Sequence, residues 1–180
     1  YKGERGRVQY LIGLRYAKGS AGSRDFSRAV YWLQQAAVLG YRGALFCLGE
    51  LAEKEEGGLT VQQAVDFYTR SVEKDKDVHA LKQLGVIYHE GRKDIPANEE
   101  QALGYFRKAY ELRDAFLEMD KDFFYRLGCL LEPRSINTDD LRQVFECFEN
   151  VFEFQAIERR CTGRIEREVY PDLEYRLGKM

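Results

Sequence analysis

Small and apolar residues recur along the chain at spacings that predict pairs of α-helices. A step of Leu or Ile followed by Gly occurs five times, with the glycines at Gly13, Gly49, Gly85, Gly128 and Gly178. A second pattern runs between these steps, in which an alanine is followed by an aromatic residue at the third position and a large apolar residue at the fourth, as in Ala29, Trp32 and Leu33. This spacing places the three residues on one face of a helix.

The second pattern recurs often enough to predict a repeat. It is found again at Ala64, Phe67 and Tyr68, at Ala102, Tyr105 and Phe106, and more loosely at Val144, Cys147 and Phe148. The predicted first helices, which carry the glycines, lie near 6–18, 41–55, 77–91 and 117–132. The predicted second helices lie near 25–39, 60–75, 98–113 and 138–155. Their predicted N-caps are residues with a short side-chain oxygen, namely Asp25, Thr60, Asn98 and Asp139.

These helices predict an all-α fold, a right-handed α-solenoid of about four antiparallel helix pairs. Residues 1–155 form the predicted solenoid, and residues 156–180 an irregular C-terminal extension with a partial fifth repeat. Glycine inside a helix costs about 1 kcal/mol relative to alanine, so its recurrence predicts close contact between paired helices. We expect the alanine of each second helix to face that glycine. Trp32, Phe67 and Tyr105 are expected to fill the core towards the next unit.

Longer segments resemble a known family of repeats. The segments YLIGLRYAKG, RAVYWLQQAAVLGYRGALFCLGELA and QLGVIYHEGRKDIPANEEQALGYFRKAYEL are similar to Sel1-like repeats, the longer relatives of tetratricopeptide repeats. The glycine interval of 36 exceeds the tetratricopeptide period, and the extra length lies in the loop inside each unit. The resemblance covers residues 6–113 and is clearest at Gly13, Tyr16 and Gly19 and at Gly85, Tyr88 and Gly91. The second unit departs from it at Ala52 and Glu55, and the fourth at Leu131 and Arg134.

The resemblance implies a non-catalytic scaffold or adaptor for protein–protein interaction, as a subunit of a larger multiprotein complex. An alternative is a regulatory or accessory module of an enzyme whose active site lies outside this chain. The sequence contains no GxSxG, Walker, HExxH or EF-hand motif, so we expect no catalytic residue, cofactor or metal. His79 and His89 are too far apart on one helix to share a metal, and the glycines of GSAGS at 19–23 are typical of a turn.

Composition narrows the choice of partner. The chain has 28 Lys and Arg against 30 Asp and Glu, mixed along its length, so we expect no contact with nucleic acid. It has no apolar stretch long enough for membrane insertion.

The cysteines at Cys47, Cys129, Cys147 and Cys161 form no CxxC pair, which favours free thiols in a reducing compartment such as the cytoplasm or the mitochondrial matrix. Because some secreted members of the resembled family bridge paired helices, a Cys129–Cys147 disulfide and a secretory-pathway lumen remain the alternative.

The first helices are expected to line the concave side, as in the related tetratricopeptide architecture. The candidate partner-binding residues there are Arg7, Tyr10, Lys18, Phe46, Glu50, Lys54, His79, Lys82, His89 and Tyr125. The same stripe contains Leu14, Glu53, Glu90, Asp122, Cys129 and Glu132. Aromatic residues mixed with charges of both signs suit a polypeptide ligand, although an ordinary solvated surface has the same composition.

The last residues suggest a contact surface. Pro171 and Asp172 predict a helix start, and the step at Gly178 resembles the opening of a fifth repeat. Since an uncovered end of a solenoid exposes an apolar face, we expect this end to be covered by a partner, by a second copy or by further repeats.

Overall fold

The computed structural model describes residues 2–19, 22–112, 121–132, 142–144 and 146–151, and these are almost entirely helical. Seven α-helices follow one another: α1 Lys2–Lys18, α2 Phe26–Val38, α3 Ala44–Glu53, α4 Val61–Asp75, α5 Val78–Glu90, α6 Glu99–Glu111 and α7 Lys121–Leu131. Residues 142–144 and 146–151 are helical as well, and Glu56–Gly58 forms a short 3-10 turn. The predicted all-α solenoid of helix pairs is confirmed.

Side-chain caps fix most of the helix starts. Asp25 accepts a hydrogen bond from the backbone N–H of Arg28 at 2.9 Å, and Asn98 accepts one from Gln101 at 3.0 Å. Thr60 and Gln63 form a reciprocal capping box at the start of α4. These three predicted caps are confirmed, whereas Asp139 lies outside the described residues.

Two helices differ from the prediction at their ends. The first helix begins at Lys2 instead of residue 6, and α3 runs only from Ala44 to Glu53 instead of from 41 to 55. The late start of α3 follows from Gly43, whose φ of +83° breaks the helical path. At its other end, Glu55 adopts a left-handed φ of +54°.

The chain divides into two compact units, residues 1–105 and 106–180. In the first unit, the pairs α1–α2 and α3–α4 pack in sequence and are followed by α5, around a core that includes the buried Leu33, Leu48, Tyr68 and Leu84. In the second unit, Phe106, Phe123, Phe124 and Phe148 are fully buried. The predicted boundary between residues 155 and 156 lies outside the described residues and stays a prediction.

Glycines let the helices of a pair touch, but the residue that they contact is not always the one expected. A Cβ placed on Gly49 would lie 2.4 Å from the ring of Tyr68, and one on Gly128 would lie 2.8 Å from the ring of Phe148. On Gly13 it would lie 2.8 Å from Leu33 and 3.2 Å from the carbonyl oxygen of Ala29. The large apolar residue four positions after the alanine therefore fills the glycine gap. The prediction that the alanine faces the glycine is confirmed for Ala29 at Gly13, whereas at Gly49 and Gly128 the nearest atoms belong to this larger residue instead.

The Tyr and Gly of the repeat pattern anchor the loop inside the unit. In the first repeat the backbone N–H of Asp25 donates to the carbonyl of Tyr16 at 3.1 Å, and in the third that of Asn98 donates to Tyr88 at 2.7 Å. Gly19 and Gly91 end the preceding helices with φ of +74° and +72°, a conformation that side chains disfavour. The second repeat lacks both residues and uses the 3-10 turn instead.

The aromatic residue at the third position does not point towards the next unit in every repeat. Phe67 belongs to the core, as expected, but Tyr105 stacks on Tyr88 of its own repeat at 5.6 Å. Trp32 lines a cavity with residues of α1 and stands outside the core cluster. For Trp32 and Tyr105 the expectation is therefore wrong, because both rings lie against residues of their own helix pair.

Candidate interaction surface

Tyr10 on α1 is a half-buried member of the predicted binding stripe. Its ring packs on Tyr41, with centroids 4.8 Å apart, and its hydroxyl lies 3.5 Å from the Sγ of Cys47 on α3. Burial and then the contact with Cys47 raise the pKa of the Tyr10 hydroxyl well above its ordinary value. Burial also raises the pKa of the Cys47 thiol. Both groups therefore stay protonated at neutral pH and act as hydrogen-bonding groups rather than as a base or a nucleophile.

Phe46 continues the stripe from α3 to α5. The centroid of its ring lies 5.6 Å from that of Tyr68 and 6.1 Å from that of His79. Tyr68 is fully buried, whereas His79 is exposed, so the half-buried Phe46 connects the core to the surface. A partly exposed aromatic ring held by a rigid core is a common anchor for a protein partner.

Glu50 lies one helical turn after Phe46 and is half-buried. Within the described part of the chain, no hydrogen bond or ion pair reaches its carboxylate. Burial raises the pKa of Glu50 above its ordinary value, and the charge of nearby Lys54 partly opposes this rise. A carboxylate that has lost part of its water without gaining a donor is stabilised by any ligand that supplies one.

Glu53 lies three positions further on and differs from Glu50, because both of its carboxylate oxygens accept hydrogen bonds. One oxygen accepts from the hydroxyl of Tyr68 at 3.2 Å, and the other accepts from the guanidinium of Arg92 at 3.2 Å. Arg92 also donates to the carboxylate of Glu90 at 2.8 Å. Glu53 therefore holds the loop after α5 against α3 and α4, and its role is structural.

A cavity of about 310 Å³ opens beside these residues and is lined by Glu50, Glu53, Lys54, Gln83 and Arg92. Two acidic and two basic side chains face it, so it has no net charge. Arg92 and Glu53 neutralise each other, which leaves Glu50 and Lys54 as the groups that can turn towards a ligand.

The remaining candidate residues are less closely grouped. Arg7 and Lys18 are exposed on α1, and Lys82 and His89 are half-buried on α5. The Nδ1 of His89 is buried and has no hydrogen-bond partner among the described residues. Tyr125 belongs to the second unit, where its ring lies 6.3 Å from that of Phe148. The structure thus brings together Tyr10, Phe46, Glu50, Lys54 and His79, which we call the first-helix surface.

Two contributors to this surface could not be found from the repeat pattern. Tyr41 precedes α3 and Arg92 follows α5, so both lie in loops rather than on a helical face. Their partners Tyr10 and Glu53 are distant in sequence, and Arg92 pairs with a residue 39 positions away. Helical periodicity carries no information about such contacts.

The described residues also bear on metal binding, membrane insertion and disulfide bonding. Within the described ranges, no group of three or more His, Cys, Asp or Glu side chains is placed to hold a metal ion. No described helix is both long and apolar enough to cross a membrane. The structure places no disulfide at Cys47, Cys129 or Cys147, and Cys161 lies outside the described residues.

Comparisons with known proteins agree with this architecture. The Sel1 repeat family matches residues 7–41 and 78–114. A protective antigen from uropathogenic Escherichia coli strains, described as having an SLR fold, is similar with a TM-score of 0.66 and 21% identity over 83% of this chain. A Sel1 repeat protein from Oxalobacter formigenes is similar with a TM-score of 0.63 and 25% identity over 82% of this chain. A comparison with curated proteins finds no match.

The matched segments coincide with the first and third helix pairs, where the Gly, Tyr and Gly positions are intact. These two segments are therefore Sel1 repeats, and proteins of the Sel1 repeat family are helical-repeat modules for protein interaction and are generally non-catalytic. It spans 31% of the E. coli protein and 56% of the O. formigenes protein, so both of these chains are longer.

Proposed function

We propose that the chain is a non-catalytic scaffold that holds a segment of a partner protein on its first-helix surface, as one subunit of a larger complex. The observation that carries this proposal is the half-buried carboxylate of Glu50, which has no donor among the described residues and lies one helical turn after Phe46. The family supplies the class of function, and these two residues supply the chemistry of recognition.

The surface favours a peptide with a basic side chain next to an apolar one. A Lys or Arg of the partner would supply the donor and the positive charge that Glu50 lacks. A neighbouring apolar or aromatic side chain would pack on the exposed part of Phe46 and on His79. Lys54 would then donate to an acidic group of the peptide. A reducing compartment such as the cytoplasm or the mitochondrial matrix is part of this proposal, because the spacing of the four cysteines in the sequence does not form a framework of disulfide pairs.

The partner is best identified by affinity purification of the tagged chain followed by mass spectrometry, and its affinity is then measured with purified proteins. We expect Glu50→Lys to weaken binding at least about tenfold, because the substitution repels the basic group of the partner. Glu73→Lys, the same charge change at an exposed position of α4, is the matched control and should leave the affinity unchanged. Replacing Tyr10 or Phe46 is less informative, because both pack on the core.

Equal affinities for wild type, Glu50→Lys and Glu73→Lys would place the binding surface elsewhere on the chain. Weakening by both variants to the same extent would indicate that only net charge matters. If the identified partner is an enzyme and the chain changes its rate, the chain is an accessory module of that enzyme, which is the alternative that its sequence leaves open.

A further inference from the structure

Side chains of three kinds follow one another between α3 and α5. At one end, the ring of Phe46 lies 6.1 Å from that of His79. Glu50 and Gln83 each lie one helical turn after these two residues, and both line the cavity of about 310 Å³. Lys54 lies a further turn along α3 and lines the same cavity. We call this row the α3–α5 groove. It presents two rings, then a carboxylate and an amide, and then an ammonium group.

The polar groups of the α3–α5 groove are available to a ligand. The ion pair between Glu53 and Arg92, at 3.2 Å, closes the far end of the cavity and uses both of those side chains. Glu50, Lys54 and Gln83 make no hydrogen bond or ion pair within the described part of the chain. One acceptor, one donor and one amide, which is both, are therefore left for a partner.

The spacing along α3 matches that of an extended chain. Phe46 and Lys54 are eight residues apart, which is about 12 Å along a helix. In an extended segment every second side chain faces the same way, and three such side chains span about 13 Å. An apolar, a basic and an acidic residue at alternating positions of a partner would therefore meet Phe46, Glu50 and Lys54 in turn.

A helical segment fits the α3–α5 groove less well. One turn of an α-helix is 10–12 Å across and 5.4 Å long, so it occupies at least about 400 Å³, which exceeds the cavity of about 310 Å³. The backbone groups of a helix are also bonded to one another, and none is left for Gln83. An extended segment offers the N–H and the C=O of its peptide units, which the amide of Gln83 can accept from and donate to.

We infer that the α3–α5 groove binds an extended segment of the partner that carries an apolar, a basic and an acidic residue at every second position. The apolar side chain packs on Phe46, the basic one donates to Glu50, and the acidic one accepts from Lys54. A peptide unit next to the basic residue pairs with the amide of Gln83. This inference rests on the proposed function, to which it adds the conformation of the bound segment and the spacing of its side chains.

Labelled synthetic peptides test the spacing, with binding followed by fluorescence anisotropy. The matching peptide carries Leu-Ser-Lys-Ser-Glu between flanking Gly and Ser residues, and we expect a dissociation constant of about 100 μM. Either chain direction satisfies the same contacts, so the reversed core is measured as well and the tighter peptide is used. Leu-Lys-Ser-Ser-Glu, in which Lys faces the other way, should bind at least about tenfold more weakly. A peptide with Leu, Lys and Glu four positions apart, the spacing of one helical face, should lose as much.

A charge exchange tests the roles of Glu50 and Lys54. The double variant Glu50→Lys, Lys54→Glu keeps the net charge of the chain and reverses the order of the two charges along α3. It should prefer Leu-Ser-Glu-Ser-Lys over Leu-Ser-Lys-Ser-Glu at least about threefold, whereas wild type prefers the second peptide. Circular dichroism checks that the variant keeps its helicity.

A second pair of measurements tests the backbone contact of Gln83. Gln83→Leu should weaken binding of the matching peptide about threefold or more, because it removes both halves of the amide pair. Gln62→Leu, at an exposed position of α4, is the matched control and should leave the affinity unchanged. A peptide methylated on the amide nitrogens on either side of its Lys should bind wild type and Gln83→Leu alike, since the contact is then absent from both. Equal losses with the plain and the methylated peptide would show that Gln83 does not pair with the backbone, which would overturn the extended conformation.

Three further results would overturn the inference. They are equal binding of the peptide with four-residue spacing, an unchanged preference in the charge-exchanged variant, and no binding of either alternating peptide at about 1 mM. If the purified partner still binds Glu50→Lys more weakly than wild type, the proposed function stands and only the extended segment is wrong. If the affinity of the partner does not depend on Glu50 either, both proposals fail.

Discussion

Gly49 of α3 and Gly104 of α6 are both glycines inside helices, but their surroundings are opposite. A Cβ on Gly49 would lie 2.4 Å from the ring of Tyr68, a distance that no packed side chain tolerates. A Cβ on Gly104 would meet no atom within 4 Å among the described residues. The contact between α3 and α4 therefore requires a glycine, whereas the outer side of α6 only tolerates one. A helical glycine is informative when it recurs at an equivalent position, as Gly13 and Gly49 do.

The largest expected effect is that of Gly49→Ala. The added methyl group collides with the buried ring of Tyr68, and overpacking of this kind costs about 3 kcal/mol. The better helix propensity of alanine offsets about 1 kcal/mol, so the free energy of unfolding should fall by about 2 kcal/mol. Chemical denaturation followed by circular dichroism measures this change.

A double-mutant cycle tests whether Tyr68 is the cause. The first repeat has Leu33 where the second has Tyr68, so Tyr68→Leu provides a smaller side chain that the repeat already uses. The cost of Tyr68→Leu should be smaller in the Gly49→Ala background than in wild type. Strictly additive costs would show that the methyl group is accommodated in another way.

The helix pairs and their caps can be predicted from the sequence, whereas the residue that a close contact meets cannot. The helix pairs follow from local periodicity, and the caps at Asp25, Thr60 and Asn98 follow from the chemistry of single side chains. The close contact at Gly49 is predictable because glycine in a helix needs a reason, but its partner Tyr68 depends on the register between two helices.

The repeat pattern does not encode contacts that loop residues make or contacts between residues that are distant in sequence. The stripe offsets identify Glu50 and Glu53 equally, and only the structure shows that Arg92 and Tyr68 use one carboxylate and leave the other without a donor. Asp77 is a similar case. It caps α5 through the N–H groups of His79 and Ala80 while also accepting from Ser71 at 2.8 Å.

Tyr68→Phe tests the hydroxyl of Tyr68 separately, because it keeps the ring at the α3–α4 contact and removes the hydroxyl. The ring still fills the gap at Gly49, but Glu53 loses the donor at 3.2 Å. We expect the free energy of unfolding to fall by about 1 kcal/mol, the usual worth of such a hydrogen bond. Tyr31→Phe is the control, because Tyr31 is exposed on α2 and should show no change. Equal effects of the two variants would show that the hydroxyl of Tyr68 contributes nothing specific.

Gly104→Ala should have the opposite sign to Gly49→Ala. Alanine is favoured over glycine in a helix interior by about 0.5–1 kcal/mol, and nothing in the described structure collides with the added methyl group. Stability should therefore rise by about that amount in the same denaturation experiment. A loss of stability would show that the outer side of α6 is in contact with part of the chain or with another molecule, and the contrast between the two glycines would fail.

The smallest expected effect concerns Glu50, the residue that follows Gly49 on α3. Burial raises the pKa of Glu50 in the folded protein above its ordinary value of 4.5. Between those two values the folded state binds the proton more tightly than the unfolded state does, so this residue's contribution favours folding at low pH and is lost as the pH rises through the folded pKa. Glu50→Gln should remove that loss and raise stability at pH 7 by less than about 1 kcal/mol, because the side chain is half-exposed and water screens it. The gain should vanish below the ordinary pKa, where wild type is protonated in both states.

Glu73→Gln, at an exposed position of α4, should show no such pH-dependent gain. If Glu50→Gln and wild type lose stability in parallel from pH 4 to pH 7, the carboxylate of Glu50 is solvated well enough to need no donor, and the difference between it and the satisfied Glu53 disappears.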